Sequence, residues 1–142
     1  KVRYLTEDGS PLNPSTLEQG TVFWCHLKAG VTTSQRVENV ALVQIFPSGW
    51  EIDATRLRGE AVPSWARRLT LGAEAYLDIR DDRAMWFFDL YRGRELDFLV
   101  KLIAVTEGEY ILAPASAEAM YDRDFRALVP GQRVQVVAPE GR

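Results

Sequence analysis

The chain has 142 residues, of which 46% are hydrophobic and 26% charged, enough apolar material to enclose one core and too much for a disordered segment. Seventeen Lys and Arg stand against 20 Asp and Glu, a formal charge of −3, which excludes the basic surplus of a nucleic-acid-binding module. A single cysteine excludes an internal disulfide and a cysteine-based zinc site, and a single histidine excludes any site that needs two.

The chain opens on Lys1 without Met and is strand-like from Val2, with none of the order of a signal peptide, so it reads as a piece of a longer protein. No apolar run approaches the roughly 18 residues of a membrane-spanning helix. Residues 7–14 (EDGSPLNP) carry an Asp8-Gly9 pair and two prolines, which favour turns and exclude a central strand. Residues 21–29 (TVFWCHLKA) are aromatic and β-branched and read as a strand. Alternation puts Phe23, Cys25 and Leu27 on one face, and Val22, Trp24, His26 and Lys28 on the other. A polar loop at 30–36 leads to a strand at 37–46, which Pro47-Ser48-Gly49 stops. A short extended piece follows at 50–52.

Residues 55–75 are the least regular and are broken at Pro63. Within them, 64–69 (SWARRL) predict one or two helical turns with Ser64 as cap. Residues 75–79 and 83–90 predict paired strands joined at Arg80-Asp81-Asp82. In 96–106, Leu96, Phe98, Val100, Leu102 and Ala104 alternate with Asp97, Leu99, Lys101, Ile103 and Val105. The second set is polar early and apolar late, so this strand is expected to run from an exposed position to one covered on both sides. Gly108 is a turn. A strand at 109–112, a break at Pro114, a segment 115–121 compatible with either state, and a strand at 133–138 complete the chain. Eight or nine short strands with at most one short helix predict an all-β fold, an antiparallel β-sandwich. Four Trp, five Tyr and six Phe suit a core between two sheets about 10 Å apart.

Candidate chemistry is sparse. Cys25 and His26 are adjacent, so their side chains leave a strand on opposite faces and cannot act as nucleophile and base; the expected reading is a buried thiol beside a surface imidazole. Asp78, Asp81 and Asp82 are weak candidates for calcium, but they do not fit a twelve-residue EF-hand loop, and Arg80 and Arg83 interleave with them. Thr16-Leu17-Glu18-Gln19 matches the Cys-Leu-Glu-Gln string of an internal thioester except at the cysteine, and a hydroxyl cannot replace that thiolate. Trp86-Phe87-Phe88 must face both ways, as in a central strand or one whose outer face another domain covers. Arg56, Arg58, Arg67 and Arg68 are diluted by Asp53, Glu60 and Glu74 and read as a solvated face. No catalytic triad, acid pair, phosphate loop or metal cluster stands out. The expectation is a non-enzymatic sandwich module with no cofactor and no metal. Two rivals are a carbohydrate-binding or adhesin module using Trp50, Trp65 and Trp86 as an exposed row, and a metal enzyme built on the aspartates. A third is an assembly subunit that joins several other proteins.

Several segments in order resemble the C-terminal macroglobulin-type domain of bacterial alpha-2-macroglobulins: Arg3-Tyr4, Asp8-Gly9, Leu17-Glu18-Gln19-Gly20, Asn39-Val40, Ile45-Phe46-Pro47-Ser48-Gly49-Trp50-Glu51-Ile52, Arg80-Asp81-Asp82-Arg83, Ala104-Val105-Thr106-Glu107-Gly108, and PASAEAMY at 114–121. The resemblance implies a macroglobulin, Ig-like sandwich spanning 1–142, the last domain of a long periplasmic protease trap, an endopeptidase inhibitor. It implies packing on the thioester-type domain to hold the uncleaved state, target proteases as partners of the parent, a lipoprotein parent anchored at the inner membrane, and a penicillin-binding protein as a further partner. It implies no nucleic acid and no direct membrane insertion. A Lys-rich helix of the kind the animal domain offers its receptor is not seen, so receptor binding is not carried over. Glu118, Met120 and Tyr121 are the candidates for the interdomain contact; the same Met120 and Tyr121 also suit the end of a core.

Overall fold

The structure, a computed structural model, describes residues 1–31, 36–53, 62–72, 75–91 and 93–140. Its strands in chain order are β1 (Val2–Thr6), β2 (Pro11–Leu12), β3 (Thr16–Glu18), β4 (Val22–Gly30), β5 (Val37–Ile45), β6 (Trp50–Ile52), β7 (Tyr76–Arg80), β8 (Arg83–Leu90), β9 (Glu95–Ala104), β10 (Gly108–Leu112), β11 (Ala115–Ala119), β12 (Asp122–Val129) and β13 (Gln132–Val137). They form a five-stranded sheet of order β2-β1-β4-β9-β6, a second of order β12-β11-β5-β8-β7, and a three-stranded sheet β10-β13-β3. Both large sheets are antiparallel throughout; β13 and β3 pair in parallel.

The predicted antiparallel sandwich is the fold. More strands are present than expected, because β2 and β3 are too short to carry a period-2 signal and β12 (DRDFRALV) is an edge strand with charges along it. The ambiguous 115–121 segment is strand as far as Ala119. The Pro11 residue sits in a two-residue strand at a sheet edge, where a missing N–H is tolerated.

The inner faces meet in one core. Phe23, Cys25, Leu27, Phe98, Val100 and Leu102 come from the first sheet, and Val40, Leu42, Ala84, Trp86 and Phe88 from the second. Trp50 stands edge-on to Phe23 with ring centroids 5.0 Å apart, and Phe88 lies 4.8 Å from Phe98. Leu17, Leu112, Val134 and Val136 bring the three-stranded sheet onto the same core.

The outer face of β4 and β9 departs from expectation. Asp97, expected to be exposed, is 4% exposed. The reason is segment 62–72, which crosses that face. A 3-10 helix (Ser64–Arg68) begins after Pro63, and no side chain caps it, so Ser64 is not its cap. Trp65, Ala66, Leu69 and Leu71 pack on Leu5, Trp24 and Leu99 as a second, smaller core. Trp65 meets Trp24 edge-on and donates its indole N–H to the Glu7 carbonyl at 2.9 Å. Gly9, at φ +87°, turns the chain there; a Cβ would fall 2.7 Å from Trp65 Cγ. Arg67 and Arg68 are exposed, as a solvated face requires, whereas Arg56 and Arg58 lie outside the described residues.

The core should therefore dominate stability. Phe23→Ala is expected to cost about 3–5 kcal/mol in urea unfolding, and Ile111→Ala, at an exposed position, to stay within about 0.5 kcal/mol. Comparable costs at the two positions would contradict the packing described.

Candidate functional site

β4 separates its two chemical residues as alternation requires. Cys25 points into the main core and is fully buried, and burial pushes its thiol pKa up to about 12. A thiol so placed is inert as a nucleophile. His26 points to the opposite face, but it is not a surface imidazole: it is 3% exposed. Arg3, its direct cross-strand partner on β1, donates Nε–H to its Nδ1 at 2.7 Å. Its Nε2 lies 2.7 Å from Asp97 Oδ1. Only a neutral ring protonated at Nε2 satisfies both contacts. The second Asp97 oxygen accepts the Thr70 backbone N–H at 2.9 Å, and the Asp97 and Thr70 main chains are joined at 2.8 Å. Arg3, His26 and Asp97 thus pin segment 62–72 to the sheet. The partners are dispersed over three strands, and the registers that unite them are not visible in local sequence.

The weak metal candidates are arranged around arginines. Asp82 receives two bonds from Arg83, at 2.9 and 3.0 Å, which hold its carboxyl below the usual range. Asp78 faces Arg80 at 3.3 Å, and Asp81 is exposed in the turn between β7 and β8. Among the described residues, no three His, Cys, Asp or Glu side chains are grouped to hold an ion. The proposed aromatic row does not form. Trp50 and Trp86 are each 4% exposed because both fill the main core, and Trp65 lies against Trp24. In the thioester-like string, Gln19 donates its side-chain amide to the Val105 carbonyl at 2.8 Å, and Thr16 accepts from Gln135.

Glu118, Met120 and Tyr121 lie together at the end of β11 and in the turn to β12. Glu118 is exposed on the sheet. Met120 is 49% exposed and Tyr121 84%, so neither fills the core. The turn is firmly seated. Ala119 beneath it is buried, and the Met120 N–H donates to the Asn39 carbonyl at 2.9 Å. Asn39 adopts φ 55° at an irregularity of β5, and its own N–H donates to Asp89 at 2.9 Å. That N–H, with the Arg36 guanidinium 2.9 Å away, keeps the Asp89 carboxyl below its ordinary range. Met120 also borders a groove walled by Phe87, Asp89, Tyr91 and Leu71. The sequence singled out Met120 and Tyr121; the Asn39 and Asp89 support depended on the β5–β8 register.

The profile of the Bacterial Alpha-2-macroglobulin MG10 domain matches residues 1–124. The chain belongs to this family. It is 30% identical over 159 residues to an alpha-2-macroglobulin homolog of Yersinia pestis, a match covering 98% of this chain and 8% of that protein. It is 30% identical over 149 residues to an alpha-2-macroglobulin of Xylella fastidiosa, covering 96% of this chain and 9% of that protein. The crystal structure of trypsin-activated alpha-2-macroglobulin from Escherichia coli superposes with a TM-score of 0.82 at 23% identity, covering 98% of this chain and 10% of that one. The chain therefore spans less than a tenth of the curated relatives' length.

Two measurements follow for this macroglobulin domain. Cys25 should resist a thiol reagent in native buffer and react fully in denaturant; rapid native reaction would mean the core is open. The buried His26 is held below its ordinary value of 6.5, first by burial, with Asp97 opposing that shift. Below about pH 6.5 the unfolded chain binds a proton that the folded one does not, so stability should fall as pH falls. In urea unfolding from pH 7 to pH 5, His26→Gln should show a shallower decline than the parent sequence; an unchanged slope would contradict the neutral, pinned ring.

Proposed function

We propose that this domain is a non-catalytic packing element of a bacterial alpha-2-macroglobulin that traps proteases in the periplasm. It braces a neighbouring domain, the thioester-type domain, in the uncleaved state and lets go when a protease cuts elsewhere in the parent. The observation that carries this reading is the Met120–Tyr121 turn: two adaptable, largely exposed side chains on a backbone fixed by Asn39 and by the buried Ala119. Activation by trypsin of the Escherichia coli relative supports a protease-triggered parent.

The physical demands of such a brace match what the turn offers. A releasable contact between domains of one chain buries about 600–1,500 Å². An aromatic ring set into a partner's pocket contributes roughly 2 kcal/mol or more of such a contact. Tyr121 supplies the ring, and Met120 supplies polarizable surface that adapts to an uneven partner. The tether keeps the partner close, so a modest interface holds without an enzyme-tight affinity.

The test uses the paired change Met120→Asp with Tyr121→Ser. In the 142-residue domain it should leave stability within about 0.5 kcal/mol, because both side chains are largely exposed. In the parent it should release the activated shape without protease, read by small-angle scattering. A parent that keeps its uncleaved shape, or a domain that loses most of its melting temperature, would overturn the proposal.

A further inference from the structure

The chain treats its two large sheets unequally. The outer face of β4 and β9 is roofed by segment 62–72 and pinned there through Asp97. The outer face of the β12-β11-β5-β8-β7 sheet has no such roof among the described residues. Strand register places two rows across it. One runs through Leu128, Ser116, Val43, Met85 and Asp78, and the next through Arg126, Glu118, Ala41, Phe87 and Tyr76. Leu128 is 67% exposed and Tyr76 69%, with the Tyr76 ring 6.2 Å from that of Phe87. This explains the Trp86-Phe87-Phe88 run. Trp86 and Phe88 face the core, and Phe87 faces out.

The charges in these rows have neighbours of opposite sign on the sheet. Glu118 stands opposite Arg126 in register, and Arg80 pairs with Asp78. The face therefore presents an apolar middle, Ala41, Val43, Met85 and Phe87, flanked by charges that balance in sign rather than by a field of one sign. Such a strip suits an uncharged protein surface and gives no grip to a polyanion or to anionic lipid headgroups. It runs on through Glu118 to the Met120–Tyr121 turn. The curated relatives carry this domain as 8% or 9% of their length, so most of each relative's chain lies outside it. A tethered neighbour is present at high effective concentration, which lets a strip of modest area be covered without strong intrinsic affinity.

We infer that the outer face of the β12-β11-β5-β8-β7 sheet docks a neighbouring domain of the same parent chain, through an uncharged apolar patch on that domain. The inference rests on the brace reading above and extends the contact from the turn to the whole sheet face. It makes the unequal sheets a division of labour, with one face closed by the domain itself and the other left for its neighbour.

Hydroxyl-radical footprinting of the intact, uncleaved parent tests it. Leu128 and Ile111 are matched aliphatic probes, 67% and 66% exposed, and Ile111 lies on the three-stranded sheet away from the proposed face. Leu128 and Tyr76 should be protected, with Leu128 labelled about fivefold more slowly than Ile111, as the core of a dry interface requires. Leu128→Glu should restore labelling of Tyr76. Equal labelling of Leu128 and Ile111 overturns the inference, as does protection that grows with protein concentration, which marks a second copy as the occupant. Tyr121 reads the brace separately: protected Tyr121 with labelled Leu128 and Tyr76 defeats only the sheet-face inference, and labelling at all three defeats both.

Discussion

The fold depends on covering the β4–β9 pair from both sides. Its inner face, from Phe23 to Ala104, meets the second large sheet in a packed aromatic core. Its outer face places Trp24 and Leu99 beside a histidine, an aspartate and a lysine. Those polar groups would be well solvated on a bare sheet. Segment 62–72 takes that water away and replaces it with specific partners: Arg3 for His26, and His26 and a backbone N–H for Asp97. Burying a polar group costs least when it is so partnered. The pin thus ties the start of the chain, its middle and β9 into one unit.

Among the described residues, no comparable segment covers the outer side of the other large sheet. The Met120–Tyr121 turn gains its rigidity from within the sheet, through the left-handed Asn39, the buried Ala119 and the Asp89 carboxylate. A side chain used for docking binds best when its backbone is already ordered, because less conformational freedom is lost on contact. The candidate chemical groups of this domain are largely taken up by its structure. Its thiol is sealed in the core, its imidazole is committed to structure, and of Asp78, Asp81 and Asp82 the first and last face arginines.

Much of the architecture was legible in the residues. Period-2 alternation sorted the inward residues of β4 and β9, and glycine and proline marked the breaks. Asp97 and His26 were misread because alternation tells which residues share a face and not what lies over that face. Their cover comes from the irregular segment 62–72, whose path has no periodic signature. The same limit explains Trp50 and Trp86: a tryptophan in a strand reads alike as a binding platform and as core filler, and only the facing sheet decides. β12 was missed because its charged edge blurs the alternation. Met120 and Tyr121 were found as a pair, yet their exposure follows from the tight turn into β12, the strand that local pattern had hidden.

The brace proposed for this macroglobulin domain is the turn at Met120 and Tyr121. A photo-crosslinking amino acid at position 121 of the intact parent measures this most directly. An efficient crosslink to another domain of the same chain is expected in the uncleaved protein and is lost after protease treatment. A crosslink that is absent before cleavage, or unchanged after it, would contradict the account.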